Sequence, residues 1–168
     1  MSISMYQASA PRFAATLRNL DAIIDKAQIH AQAKKIDPAV LLAARLYPDM
    51  FPLVKQVQIA CDHARGAVAR LAGVELPRFE DNEKSFDDIQ SRIAKTLAFV
   101  NAFKPAQIDG SEERAIAFSV GGSDIALKGL PYLLDYALPN FYFHVVTAYD
   151  ILRHNGVELG KRDFLGKT

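Results

Sequence analysis

Pro139-Asn140-Phe141-Tyr142-Phe143-His144-Val145-Val146-Thr147-Ala148-Tyr149-Asp150-Ile151-Leu152-Arg153 sets Phe141, Val145, Ala148 and Leu152 at helical spacing. An apolar row of that period marks a helix that buries one stripe against its neighbours. His144 falls among those residues. A titratable ring that faces a core needs a hydrogen-bond partner, a metal or a cavity. The stretch therefore indicates both a helical fold and the place to look for a site.

The same period recurs upstream. A first long helix is predicted from about Ile3 to Ala33, with Phe13, Leu17, Leu20, Ile24 and Ala27 on one face. Ser4 with Gln7 three residues later forms a capping-box pattern, and Pro11 predicts a kink or a late start. Asp37-Pro38 opens a short extra helix through Leu46. Tyr47–Pro52 interrupts it, and Asp49 is expected to cap the second long helix, with Pro52 in its first turn. Leu53, Val57, Ala60, Ala64, Val68 and Leu71 form that helix's inner face, and Gly73 closes it. Ser85 with Asp88 caps a third helix running to about Phe103, with Pro105 after its stop. Ala115–Val120 and Ser123–Leu127 around Gly121-Gly122 read as a tight β-hairpin. The last helical region spans Leu130 to Asn155, where Pro139 splits or kinks it, Gly156 ends it and a polar tail follows. The expected fold is a mainly helical four-helix bundle forming one domain over residues 1–168. A short extra helix lies between helices one and two, and a small hairpin precedes the last helix.

Half of the 168 residues are apolar, enough for a core without covalent staples. Twenty basic residues against nineteen acidic ones argue against a nucleic-acid footprint. No apolar segment approaches the roughly 20 residues that cross a bilayer, and the first residues lack the pattern of a secretory signal. Cys61 is the only cysteine, which excludes an intramolecular disulfide and points to a buried, inert thiol. A cytoplasmic protein is expected.

Four histidines are the natural site candidates. His30 reads as solvated, and His154 as a surface ring favoured by the negative end of its helix. His63 lies at the flank of the second helix's apolar face, together with Gln56 and Ala67. Asn140 precedes His144 by one turn, so the two project to the same side. If helices two and four face each other, His63, Asn140 and His144 form a three-group site. Zn²⁺ or Ni²⁺ accepts imidazole nitrogens, whereas an amide oxygen is a poor ligand for either. The plainer reading gives His144 a buried hydrogen-bond partner and leaves His63 at the rim. Asp62 and Arg65 are expected to point elsewhere on the helix. Tyr142 and Tyr149 are the hydroxyls closest to His144 in sequence. No phosphate loop is present, because neither Gly121-Gly122 nor Gly156–Lys161 has the required strand-turn-helix context.

Ala43, the run Arg45–Pro52, the turn Arg70–Val74, the run Pro139–His144 and the segment Ile151–Gly156 with the Gly160–Phe164 tail resemble one bacterial domain-of-unknown-function family. That family is placed in the DinB/YfiT-like superfamily of metalloenzyme-type bundles, and the resemblance covers nearly the whole chain. It implies a four-helix bundle, and for typical members a divalent metal held by one histidine of the second helix and a His-x-x-x-His pair of the last. His63 matches the single histidine by location, and His144 resembles the second of the pair. Asn140 stands where the first would fall. The implied metal set is thus His63, Asn140 and His144, with an amide in place of one imidazole.

Two functions follow from these readings. One is a metal-dependent enzyme of the DinB-like, thiol-linked transferase type with a degenerate metal site. The other is a non-catalytic protein that has lost the metal and binds a small molecule beside His144. In that second reading the chain could equally form a homodimer through the aromatic side of its last helix.

Overall fold

The computed structural model describes residues 3–166. Met1, Ser2, Lys167 and Thr168, which the single-domain expectation included, lie outside the described residues. The first helical pattern divides at Ser9 into α1 (Met5–Ala8) and α2 (Ala10–Lys34). Ser4 and Gln7 form the expected reciprocal cap. Pro11 stands in the first turn of α2, where its missing N–H costs nothing. The short helix α3 (Pro38–Ala43) starts on Asp37, whose carboxylate accepts the Ala39 N–H at 2.9 Å. It stops short of Leu46.

The long helix α4 (Leu53–Ala72) departs from expectation at its start: Pro52, not Asp49, is its N-cap. Asp49 stands three residues before that cap, beyond reach of the first-turn N–H groups. The loop is closed instead by the Leu53 N–H donating to Ala44 O at 2.9 Å and by the Arg45 guanidinium donating to Met50 O at 2.6 Å. Gly73 ends α4 in the left-handed conformation, with φ 68°. The Ser85/Asp88 cap opens α5 (Phe86–Asn101), and Pro105 begins a further turn, α6 (Pro105–Ile108).

Strands β1 (Ala115–Val120) and β2 (Ser123–Lys128) pair antiparallel from Ala115↔Lys128 to Val120↔Ser123. Gly121 and Gly122 both take positive φ, 58° and 82°, as a two-residue turn between twisted strands requires. Helix α7 (Gly129–Pro131) leads into a π-helical turn over Tyr132–Ala137, and α8 (Leu138–His154) continues from it. The irregularity expected at Pro139 thus falls on the preceding turn, and Pro139 itself sits at the start of α8. The tail forms α9 (Lys161–Leu165), held on α2 by Asn19 donating to Phe164 O at 3.0 Å and by a 2.7 Å pair between Lys26 and Asp163.

Among the described residues the protein is mainly helical with one small hairpin, and the helical segments outnumber the four-plus-one expected. The long helices α2, α4, α5 and α8 pack on one another, with α4 lying between α5 and α8. One cluster of buried apolar side chains runs through all of them, from Met5 to Leu159. Phe13 and Phe141 meet edge to face across α2 and α8, 4.9 Å apart. Ala60, Ala64 and Ala67 line α4 with small, fully buried side chains, and α8 is its main neighbour. No helix among the described residues is long and apolar enough to cross a membrane.

Candidate functional site

Packing of α4 on α8 brings His63 and His144 together. Their rings lie 5.9 Å apart between centroids and within 15° of parallel. Both line, with Asn140, a cavity of about 570 Å³. Its other walls come from Ile59 and Arg70 of α4, the loop Leu76–Phe79 after α4, Phe118 and Val120 of the hairpin, and Tyr136 of the π turn. The three residues predicted from sequence therefore share one hollow.

Hydrogen bonds fix the roles of His144 and Asn140 there. His144 Nδ1 stands 2.7 Å from Gln56 Oε1, and Gln56 Nε2 donates to Phe51 O at 3.0 Å. The second bond orients the amide, so His144 donates through Nδ1–H and its Nε2 keeps a lone pair. Asn140 Nδ2 donates to Tyr136 O one turn back, at 2.7 Å. That leaves Asn140 Oδ1 as the amide's remaining acceptor. Burial pulls the His144 ring below its ordinary pKa. Burial, and then the charge His144 would carry beside it, lowers His63 to about 4. Both rings are neutral at pH 7.

This has a consequence for stability. An unfolded His63 titrates near 6.5 and the folded one near 4, so the unfolded chain binds the extra proton between those values. The contribution is fully present above pH 6.5 and is lost as pH falls toward 4. Besides His144, the charged and titratable groups around His63 are Asp62 and Arg70 on its own helix and Tyr136 on the π turn. We expect urea unfolding to show a loss of about 2–3 kcal/mol between pH 7 and pH 4. That loss should shrink in His63→Gln, and an unchanged pH dependence in the variant would remove His63 as its source.

Asp62 and Arg65 do not point away, as the sequence suggested. Both line the cavity, and they join an ion network whose two guanidinium groups are buried while Asp62 stays partly open to solvent. Asp62 accepts from Arg65 at 2.6 Å and from Arg92 of α5 at 2.8 Å. Arg92 also reaches Glu83 at 2.9 Å, Asp81 at 3.0 Å and Glu80 O at 3.1 Å. Arg65 donates to Pro77 O and stacks on Phe79, 3.7 Å from the ring centroid. The loop that walls the cavity is thereby tied to α4 and α5.

Sequence reasoning missed Tyr136 and Arg70. Tyr136 lies one turn before Asn140, and Arg70 two turns after His63, so the helical spacing that linked Asn140 to His144 would have reached both. Tyr142 and Tyr149 do not line the cavity. His30, expected in solvent, is half-buried and lines a separate hollow with Lys26, Glu158 and Asp163. His154 is exposed, as expected. Cys61 is fully buried and burial pushes its thiol up to about 12, in keeping with the inert reading.

As a metal site the arrangement falls short. Among the described residues no three His, Cys, Asp or Glu side chains are grouped to hold an ion. Catalytic zinc takes three protein ligands, and the cavity offers two imidazoles and an amide. Its one carboxylate, Asp62, is committed to two guanidinium groups. Arg70 and Arg78, which have no carboxylate partner among the described residues, set positive charge around the hollow, which disfavours a further cation. The residues present do not fit a divalent metal held by the chain alone.

Residues 5–165 match the family described as domain of unknown function (DUF1993). The chain is 42% identical to a DinB family member protein from Shewanella denitrificans whose crystal structure is known. The match covers 97% of this chain and 92% of that one, with a TM-score of 0.87. No functionally curated protein matches it.

Proposed function

The chain belongs to the DUF1993 family and shares the fold of a DinB family member, and from that premise we propose that it is a single-domain, cytoplasmic small-molecule-binding protein. Its ligand occupies the cavity between α4, α8 and the hairpin, with His63, Asn140 and His144 as polar contacts. The observation that carries this reading is the cavity itself. At about 570 Å³ it has the size of small-molecule sites, and aromatic walls surround a few oriented polar groups. His144 Nε2 and Asn140 Oδ1 are acceptors, so they favour a ligand that offers hydroxyl or N–H donors.

Filling the hollow provides the test. Native protein dialysed against a small-molecule extract of cells should retain a compound that Ile59→Trp does not. Equal retention by both, or retention by neither, overturns the reading.

One observation favours the metal-dependent, thiol-linked transferase reading. The Gln56–His144 bond is the kind of outer contact that orients a metal-bound imidazole. Metal analysis of the native protein beside His144→Ala separates the two. The binding reading expects no zinc or nickel that depends on His144, and one equivalent lost in the variant would replace it. The homodimer expectation rests on the outer side of α8, where Phe143 is 57% exposed. A monomeric solution mass at high concentration would remove it.

A further inference from the structure

Arg70 is a cavity charge that the fold holds in place without a carboxylate partner. Its Nη1 donates to the buried Tyr132 hydroxyl at 3.0 Å, and its guanidinium lies 4.4 Å from the centroid of Phe118. Among the described residues no carboxylate pairs with it. With Nη1 held by Tyr132, the Nε and Nη2 edge of the guanidinium remains for two parallel bonds to a carboxylate. Arg65 is paired with Asp62 at the wall. Arg70 and Arg78 therefore give the hollow a net positive charge.

The positions of the other groups set the length and the far end of the ligand. His63 and Arg70 are separated by two turns of α4, or about 10 Å along the axis. At the histidine end the free groups are acceptors, His144 Nε2 and Asn140 Oδ1. Between the ends, Phe118 and Tyr136 stand 5.1 Å apart and form an aromatic wall. We infer that the ligand of this cavity is a small aromatic carboxylate, with its carboxylate on Arg70 and a hydroxyl or N–H donor directed at His144. The inference rests on the small-molecule reading of the same cavity and names the chemistry that reading leaves open.

The test uses 4-hydroxyphenylacetate as probe, with neutral 4-hydroxyphenylacetamide and hydroxyl-free phenylacetate beside it. Binding is followed by titration calorimetry and by the histidine ring ¹⁵N signals. The acid should bind the native protein about tenfold more tightly than the amide, about 1.4 kcal/mol, because the carboxylate accepts charge-assisted bonds that the neutral amide cannot. Phenylacetate should bind more weakly than the hydroxylated acid and should leave the His144 Nε2 signal unmoved. Arg70→Gln should bring acid and amide to equal affinity. Arg70→Lys should retain part of the preference, because it keeps the charge and loses the fork.

The comparison of acid with amide is made on the native protein, so it does not depend on how the variants fold. Amide binding as tight as acid binding, with histidine signals moving for both, overturns the anion inference and leaves the small-molecule reading intact. If none of the three probes moves a histidine signal, the inference falls, while the retention experiment with Ile59→Trp still judges the broader reading separately. A preference for the acid that survives unchanged in Arg70→Gln also overturns the assignment of Arg70.

Discussion

Gly129→Ala is expected to destabilise the protein by about 3 kcal/mol, with the loss read as a lower urea midpoint at unchanged slope. Gly129 is buried where β2 turns into α7, and a Cβ there would lie 1.9 Å from Ser111 O and 3.4 Å from Glu112 O. Both obstacles are backbone, so no rotamer change relieves them. The contact cannot simply be widened either. The next N–H, that of Leu130, donates to Glu112 O at 2.9 Å, and Ser111 N–H is held by Ile108 O at 3.3 Å. The base of the hairpin is thus pinned to the turn after α6, and its outer end carries Phe118 and Val120 to the cavity. Gly160→Ala supplies the contrast. Nothing lies within 4 Å of its Cβ and its φ is −139°, so it should change stability by no more than about 0.5 kcal/mol. Equal stability of the two variants would show that the close approach at Gly129 carries no weight.

Arg92→Leu is expected to have an effect of similar size, again about 3 kcal/mol, for an electrostatic reason. The Arg92 side chain is 2% exposed and Glu83 beside it 6%. Removing the guanidinium leaves the Glu83 carboxylate buried, with the Gln58 amide, at 2.7 Å, as its remaining side-chain partner. Asp62 would retain Arg65, and Asp81 would retain Lys55, so the cost concentrates on Glu83. Replacing both partners, as Arg92→Leu with Glu83→Leu, should recover part of the loss, because an apolar pair has no unpaired charge to bury. Thermal or urea unfolding of the three variants measures this. A double variant less stable than Arg92→Leu would show that Glu83 holds the loop through contacts other than Arg92. Since the loop Leu76–Phe79 walls the cavity, Arg92→Leu should also weaken any ligand bound there.

What the sequence revealed and what it concealed divide along a physical line. Ser4 with Gln7, Ser85 with Asp88, Gly73 and Gly121-Gly122 act through bonds to residues a few positions away, and each stands where its local chemistry indicated. Asp49 failed because the loop it belongs to is closed by a tertiary bond, Leu53 N–H to Ala44 O, that no local rule anticipates. The site was legible as far as one helix face extends. Asn140 and His144 share a face, and His63 lies across from them once α4 and α8 are neighbours. Asp62 and Arg65 were misplaced because their partners lie outside α4, where a reading of one helix face does not extend. Arg92 and Pro77, one on another helix and one in the loop after α4, draw them to the cavity wall. The π turn was hidden altogether, because Pro139 signals an irregularity without saying which turn absorbs it.

The hairpin that closes the cavity is also the part of the fold least able to hold itself shut. Most of its residues are exposed on both faces, and its apolar hold on the bundle rests chiefly on Ile116 and on Phe118 against Tyr132 and Tyr136. Local opening there should need far less free energy than global unfolding, so its amides should exchange with solvent while those of α4 stay protected. A molecule bound under Phe118 would then be linked to that opening. Part of its intrinsic affinity would be consumed in ordering the hairpin, and the slowing of hairpin exchange on binding would measure how much.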